Sequence, residues 1–245
     1  MKNTVLVTSA LYTNYGIYST AERIQQTIDT VKSARQYIPE CTIILIDNST
    51  VAVQQDTSDA IGELDELVDY WIDNSDDADI QHFHNNVSNY DVGKNMMECI
   101  GMYKALTHII TDATIMKEVN DSDRIFKLSG RYVVTDKFDI NKFSNETTAN
   151  KYVFKQSQAS WIPKEVTEVD HLLQTRLWSF TPSLLLNTQQ LFLDILNNMV
   201  ATSNKGGYID VEHSMAKFIP KDKLVEVETI GLKGNIAPNG MIVID

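Results

Sequence analysis

The first 47 residues alternate between two short apolar runs and one longer amphipathic run, and this order constrains the fold more than any other feature. Thr4 to Thr8 and Thr42 to Ile46 are strand-like runs rich in β-branched residues. Between them, after a capping Ser19 or Thr20, apolar residues recur at helical spacing; they are Ala21, Ile24, Ile28, Val31, Ala34 and Ile38. Strand, helix and strand within this length predict a βαβ unit, and therefore a parallel sheet.

The later segments continue this alternation and then become irregular. Helices are predicted over Gly93 to Thr111, Pro182 to Val200 and Val211 to Phe218, whereas polar Asp73 to Asp91 is interpreted as a loop. Leu64 to Ile72 is a strand, or a short helix that leads into one. A strand interrupted by Ser129-Gly130 is predicted over Arg124 to Val134. Further strands are predicted over Lys151 to Gln156, Leu177 to Ser179, Leu224 to Ile230 and Met241 to Ile244. Because no stretch resembles a linker, we expect residues 1–245 to form a single α/β domain, a Rossmann-like, mostly parallel open sheet flanked by helices, with an irregular C-terminal third.

Charge and composition exclude several classes of partner. The 245 residues carry a net charge of −12, which disfavours nucleic-acid and membrane surfaces. An anionic ligand would need a local basic pocket. Cys41 and Cys99 have no CxxC partner and are expected to be reduced and buried. The N-terminus enters a strand without a signal-peptide pattern, and no window approaches the roughly 18 apolar residues that span a bilayer. We therefore expect a cytoplasmic protein.

An open parallel sheet binds ligands beyond the carboxyl ends of its strands. Here those ends supply Thr8 and Ser9, Asp47 and Ser49, and the segment from Ser129 to Arg131. The carboxylate of Asp47 would accept hydrogen bonds from a ribose or a base edge. The alternative is a loop aspartate that caps backbone N–H groups.

Two cations lie in or beside one predicted strand, in the run Phe126-Lys127-Leu128-Ser129-Gly130-Arg131-Tyr132. Arg131 would offer a bidentate fork to a phosphate and Lys127 a point charge, while Gly130 would let a ligand approach the backbone. The alternative is a cross-strand ion pair on an exposed face.

Two predicted helix starts carry further candidates. Lys94 follows Asp91, which would serve as an N-cap, and free N–H groups there suit an anion. After the Gly206-Gly207 turn, Asp210, Glu212 and His213 place two carboxyl groups and an imidazole within four residues. They would supply a general base or a metal ligand, or else only a helix cap and a favourable dipole contact.

Several familiar motifs are missing from the sequence. It lacks GxGxxG after the first strand, GxxxxGK[ST] and GxSxG. This argues against a dinucleotide-binding dehydrogenase, a P-loop NTPase and an α/β-hydrolase.

In their order along the chain, these segments resemble the small GT-A-type glycosyltransferases of bacterial and phage polysaccharide clusters. The resemblance covers about the first 135 residues, and the run from Lys127 to Tyr132 is its most specific part. It implies a nucleotide-sugar donor, a glycan acceptor, a nucleotide-binding half over 1–135 and an acceptor-side half over 136–245. It also implies a late catalytic acid, for which Glu212 is the first choice, ahead of Asp210 and His213.

The sequence departs from that family at the metal-binding Asp-x-Asp motif. Asp121-Ser122-Asp123 has the spacing but precedes its strand, Asp77-Ala78-Asp79 lies in the polar segment, and Ser129-Gly130-Arg131 stands where the motif would be. We therefore assign no metal ligand and expect a guanidinium to neutralise the diphosphate, with Mn or Mg as the alternative. Two other functions stay open, a nucleotidyl- or phospho-ligand transferase and a non-catalytic carbohydrate- or nucleotide-binding protein.

Overall fold

The computed structural model describes residues 1–12, 16–49, 58–86, 89–236 and 240–245. Its helices are α1 (Thr20–Tyr37), α2 (Ser58–Leu67), α3 (Ala78–Asn86), α4 (Tyr90–Thr111), α5 (Ala113–Asn120), α6 (Lys164–Thr167), α7 (Leu185–Asn204) and α8 (Val211–Phe218). Its strands are β1 (Asn3–Ser9), β2 (Cys41–Asp47), β3 (Tyr70–Asp73), β4 (Arg124–Ser129), β5 (Tyr132–Val134), β6 (Tyr152–Lys155), β7 (Gln158–Ala159), β8 (His171–Leu172), β9 (Leu177–Phe180), β10 (Leu224–Val227), β11 (Leu232–Asn235) and β12 (Ile242–Ile244).

A seven-stranded sheet in the order β10-β6-β9-β4-β1-β2-β3 forms the centre of the described part of the chain. Six of its strands run in one direction, and β9 is antiparallel to both of its neighbours, β4 and β6. Strands β5, β11 and β12 form a small antiparallel sheet, and β7 pairs with β8 in a hairpin. The prediction of a mostly parallel sheet flanked by helices is confirmed.

The central strands are apolar on both sides because helices cover both faces of the sheet. On β1, Leu6 faces a core that includes α4, α7 and α8, while Val5 and Val7 face the core beneath α1 and α2. Strand β1 has β2 and β4 as parallel neighbours in continuous register. Both cysteines are free and buried, Cys41 on β2 and Cys99 on α4, as predicted.

Helix α1 shows the local chemistry that the sequence predicted. Ser19 is its N-cap, and Glu22 completes a capping box by accepting from the backbone N–H of Ser19 at 2.7 Å. Ile24 and Ile28 are fully buried on the face that packs against the sheet. The helix ends two residues before Pro39, as expected for a residue that cannot continue a helix.

Two predictions between residues 73 and 93 were wrong: one helix was missed, and the start of another was placed too late. The polar segment predicted as a loop contains α3, which forms because Asp77 accepts from the N–H groups of Asp79 and Ile80 and because Ile80 is fully buried. Helix α4 begins at Tyr90, three residues before the predicted Gly93. Its N-cap is Asn89, whose side chain accepts from the N–H groups of Asp91 and Val92, so Asp91 lies in the first turn.

A buried arginine fastens the segment before β6 to the sheet. Arg124 on β4 is 1% exposed, and its guanidinium donates to Ser179 Oγ at 2.9 Å, to the Thr148 carbonyl at 2.9 Å and to the Lys151 carbonyl at 3.0 Å. Burial lowers the pKa of Arg124 to about 9, so the group stays charged at neutral pH. These bonds satisfy the buried guanidinium group, and they also satisfy the carbonyl groups of Thr148 and Lys151 in the irregular segment before β6.

Among the described residues, no helix combines the length and the apolar character that crossing a membrane requires.

We predict that Arg124→Ala lowers the free energy of unfolding by about 3 kcal/mol, because two buried carbonyl groups lose their donors. Urea denaturation should show a lower midpoint at an unchanged slope. Lys32→Ala is the control, since its ion pair with Glu63 lies on the surface and should contribute less than about 1 kcal/mol. Equal effects of the two substitutions would contradict this role for Arg124.

Candidate active site

The carboxyl ends of β1, β2 and β4 lie at one edge of the sheet, as their parallel registers require. Strand β6 also ends at this edge and β9 begins there, because β9 runs antiparallel to β4 and β6. Residues 156–176, which join these two strands, therefore also start and finish at the edge where ligands bind in open α/β sheets.

At the end of β1, Thr8 and Ser9 pack against α1 and the end of β4. Ser9 Oγ lies 2.9 Å from Thr27 Oγ1, which in turn lies 3.3 Å from the Gly130 carbonyl oxygen. A Cβ atom at Gly130 would approach the Thr8 carbonyl oxygen to 3.1 Å and Thr27 Oγ1 to 3.2 Å. A side chain at Gly130 would therefore crowd β1 and α1, a packing reason for glycine that the sequence did not indicate.

At the end of β2, Asp47 organises the loop that follows β1. Its carboxylate accepts from the Leu11 N–H at 3.1 Å and from Ser49 Oγ at 2.8 Å, and Ser49 Oγ accepts from the Tyr12 N–H at 2.8 Å. Asp47 is 3% exposed, and burial raises its pKa to about 6. The backbone-capping alternative from the sequence thus describes the contacts of Asp47 and Ser49.

A second network begins at Lys127, whose side chain is 1% exposed inside β4. Its ammonium group donates to Glu98 Oε1 at 3.0 Å, to Ser129 Oγ at 2.9 Å and to the Thr175 carbonyl at 3.0 Å. All three N–H groups are engaged, so Lys127 holds α4 and the segment before β9 against the end of β4.

The same network continues to α8 through Thr175. Thr175 Oγ1 donates to Glu212 Oε1 at 2.8 Å. Burial and the nearby carboxylates of Asp210 and Glu98 raise the pKa of Glu212, against the lowering effect of Thr175 and Lys94. A carboxyl group whose pKa is shifted towards neutrality is suited to proton transfer.

Asp210 and His213 are more tightly bound than Glu212. Asp210 is the N-cap of α8, and its Oδ1 accepts from the His213 N–H at 2.9 Å and lies 2.6 Å from His213 Nδ1. His213 is fully buried, and its Nε2 lies 2.8 Å from Ser160 Oγ. Both ring nitrogens therefore have protein partners.

Two cations remain available to a ligand. Arg131 and Lys94 make no ion pair with any residue that the structure describes, and the buried Nε of Arg131 has no hydrogen-bond partner there. Burial acts to raise the pKa of Glu98, but the positive charges of Lys127, Lys94 and Arg131 outweigh it and lower that pKa. Lys94 and Arg131 are therefore both close enough to Glu98 to stabilise its ionised form.

The two Asp-x-Asp segments do not offer a metal site. Asp121 pairs with Lys117 at 2.7 Å, at the amino end of β4, as the sequence indicated. Asp77 and Asp79 follow β3, but Lys104 pairs with them at 2.5 and 2.6 Å. Across the described ranges, no three His, Cys, Asp or Glu side chains are grouped so that they could hold a metal ion. Within the described part of the chain, neither Asp-x-Asp segment therefore supplies free carboxylates that fit a divalent metal.

Hydrogen bonds connect three of the predicted site residues, Lys127, Ser129 and Glu212, through Glu98 and Thr175. Lys94 and Arg131 act on Glu98 electrostatically. We call these five residues, with Glu98 and Thr175, the charged site. Thr8, Ser9, Asp47 and Ser49 belong to neighbouring packing networks. The sequence analysis missed Glu98 and Thr175. Glu98 follows Lys94 by one helical turn, a spacing that could have been noticed, whereas nothing local to Thr175 marks it.

Comparisons with known proteins give a likeness of fold. No family model matches the chain, and no curated protein matches it. The galactosyltransferase LgtC, solved with donor and acceptor sugar analogues, is 10% identical at a TM-score of 0.55 over 91% of this chain and 73% of that one.

Two further structures give the same result. An active-site variant of LgtC is 11% identical at a TM-score of 0.51 over 91% of this chain and 72% of that one. The bifunctional glycosyltransferase WbbM is 10% identical at a TM-score of 0.51, over 92% of this chain and 38% of that one. At such identities the likeness shows the fold alone, and the fold is the GT-A type of these glycosyltransferases.

The raised pKa of Asp47 predicts a pH effect on stability. Between about pH 4 and pH 6 the folded state binds more protons at Asp47 than the unfolded state, so stability should fall as pH rises through this window. Asp47→Asn keeps an acceptor for Leu11 and should remove this decline, on the order of 1–3 kcal/mol. Urea denaturation at pH 4 and pH 7 measures it, with exposed Asp29→Asn expected to keep the wild-type profile. A wild-type profile in Asp47→Asn would refute the assignment.

Proposed function

We propose that this chain is a glycosyltransferase that moves a sugar from a nucleotide-activated donor to a hydroxyl group of a saccharide or other acceptor. The observation that carries the proposal is the charged site at the carboxyl edge of a GT-A-type sheet. It combines two cations without ion pairs and one carboxyl group of raised pKa. In an otherwise acidic protein, such cations favour an anionic ligand.

The donor diphosphate is assigned to Arg131 and Lys94. Arg131 follows the end of β4 and supplies the planar fork that recognises phosphate oxygens in a bidentate manner, whereas Lys94 supplies a point charge. Lys127 serves as the internal support of this site, since its donors already bind Glu98, Ser129 and Thr175. No step is assigned to a metal.

The acceptor is assigned to the second half of the chain, residues 136–245, and Glu212 is its general base. Glu212 removes the proton of the acceptor hydroxyl while that oxygen attacks the anomeric carbon. The bond from this carbon to the diphosphate breaks, and the nucleoside diphosphate leaves with both electrons. One such displacement inverts the anomeric centre, so we assign an inverting hexosyl transfer. The leaving charge develops next to Arg131 and Lys94, which stabilise it.

We predict that Arg131→Ala weakens nucleotide-sugar binding roughly 10- to 100-fold, the effect of a lost charge-assisted hydrogen bond of about 1.5–3 kcal/mol. Arg131→Lys should lose less donor affinity, since lysine keeps the positive charge but not the bidentate geometry of the guanidinium group. The measurement is thermal shift against UDP-, GDP- and dTDP-sugars, each with EDTA or with manganese, since bound donor raises the melting temperature.

Lys117→Ala is the matched control, because it removes a positive charge at the opposite edge of the sheet. Equal affinity of the wild type and both Arg131 variants would contradict the assignment. Binding that is lost in EDTA and restored by manganese would show that a metal holds the donor. A requirement for a nucleoside triphosphate with magnesium would favour a nucleotidyltransferase.

We predict that Glu212→Gln lowers turnover by 10²–10⁴-fold, the usual contribution of a general base, and changes donor affinity by less than about twofold. Gln keeps the contact with Thr175 but cannot accept a proton at neutral pH. Nucleoside diphosphate release in the presence of mono- and disaccharide acceptors measures turnover, and thermal shift measures donor affinity separately.

His213→Asn, assayed in parallel, tests the other candidate base. It should retain more turnover than Glu212→Gln, since both nitrogens of His213 are already bound within the protein. Loss of turnover only in His213→Asn would move the base to His213. Full turnover in both variants would mean that Asp210, Glu212 and His213 only stabilise the start of α8 and take no part in catalysis.

A further inference from the structure

A short hairpin extends from the sheet at the edge that holds the charged site. It consists of β7 and β8, which pair Gln158 with Leu172 and Ala159 with His171. The chain enters it from the carboxyl end of β6 and leaves it towards the amino end of β9. The backbone thus places the hairpin beside Thr175 and Glu212, on the side assigned to the acceptor.

Two hydrogen bonds attach this hairpin to the first turn of α8. The N–H of Leu173 donates to the Glu212 carbonyl at 3.1 Å, and Ser160 Oγ lies 2.8 Å from Nε2 of the buried His213. His213 is held in turn by Asp210 at 2.6 Å. The position of the hairpin is therefore coupled to the residue that carries the proposed base.

Trp161 lies two residues after β7, in the connection of residues 160–170 that joins β7 to β8, and is 85% exposed. On either side of it, the Ile162 N–H donates to Ser160 Oγ at 2.9 Å, and the Ser160 N–H donates to the Asp170 carbonyl at 2.9 Å. Trp178, in contrast, is fully buried, and Trp71 is partly buried. A backbone fixed at these points presents a large aromatic surface to solvent.

We propose that Trp161 forms the platform on which a sugar ring of the acceptor stacks, held beside Glu212 by the chain Asp210–His213–Ser160. This inference rests on the proposed glycosyl transfer and names a specificity-determining residue for it. The face of an indole ring is electron-rich and apolar, and one face of a pyranose presents C–H groups of slight positive charge. Stacking orients the ring while its hydroxyl groups stay free for the base, at little cost in side-chain entropy.

A binding experiment tests the platform without any donor. Lactose, maltose and cellobiose are titrated into the protein while tryptophan emission and its quenching by acrylamide are recorded. Stacking should shield Trp161 and reduce quenching in the wild type, and Trp161→Phe, which keeps Trp71 and Trp178, should lose the response. No response of the wild-type protein to any of the three sugars, or an unchanged response in Trp161→Phe, overturns the proposal.

A kinetic experiment then separates acceptor from donor. With the disaccharide that responds best, Trp161→Ala should raise the acceptor KM about tenfold, equivalent to about 1.4 kcal/mol, and Trp161→Phe should raise it less. The kcat at saturation and the donor affinity should stay within about twofold. Ser160→Ala, which frees the hairpin from His213, should raise the acceptor KM in the same direction.

Leu186→Ala is the matched control, since Leu186 is an exposed apolar residue on α7, after the far end of β9. An acceptor KM unchanged in Trp161→Ala, or a donor affinity that falls with it, overturns the platform. Failure of every nucleotide sugar to bind would instead refute the proposed function, and the fluorescence titration would still decide whether Trp161 binds saccharides.

Discussion

The ion pair between Lys127 and Glu98 is the interaction on which the rest of the site depends. A charged side chain inside a central strand is stable only if every donor finds a partner, and Lys127 finds three on three different segments. It thereby fixes α4, the end of β4 and the segment before β9 relative to one another. Thr175 extends the same connection to Glu212 and so to α8. Removal of this one cation would leave a partly buried carboxylate and a buried carbonyl group without this donor.

The order of charges around that pair creates a locally basic region in an otherwise acidic protein. Glu98 is surrounded by Lys127, Lys94 and Arg131, which keep it ionised, while Glu212 lies near Asp210 and Glu98, which favour its protonated form. Tyr208 lies in the same field, and burial with the charges of Asp210, Asp91 and Glu212 raises the pKa of its phenol. Two neighbouring regions of opposite electrostatic character, one basic and one acidic, thus follow from groups close together, although the net charge is strongly negative.

The first half of the fold was predictable because its signals are local. The apolar run of β1, the capped amphipathic pattern of α1 and the apolar run of β2 each specify one element, and a parallel sheet follows from their order. The polar helix α3 was missed because its single buried Ile80 gives no periodicity. The antiparallel direction of β9 and the β7–β8 hairpin were not predicted either, because pairing between short strands depends on partners distant in sequence.

By itself, the sequence determined the α/β class, the edge at which side chains of β1, β2 and β4 gather, and the residue types available there. These follow from periodicity and from the geometry of parallel strands. Tertiary structure alone decided which of those residues have their polar groups satisfied within the protein. Asp47 and Lys127 have the same polar, strand-end character as Arg131 in the sequence, yet the first two are satisfied within the protein and Arg131 is not. Hydrogen-bond satisfaction depends on groups brought from elsewhere in the chain, such as Leu11, Glu98 and Thr175, and no local pattern records which groups those will be.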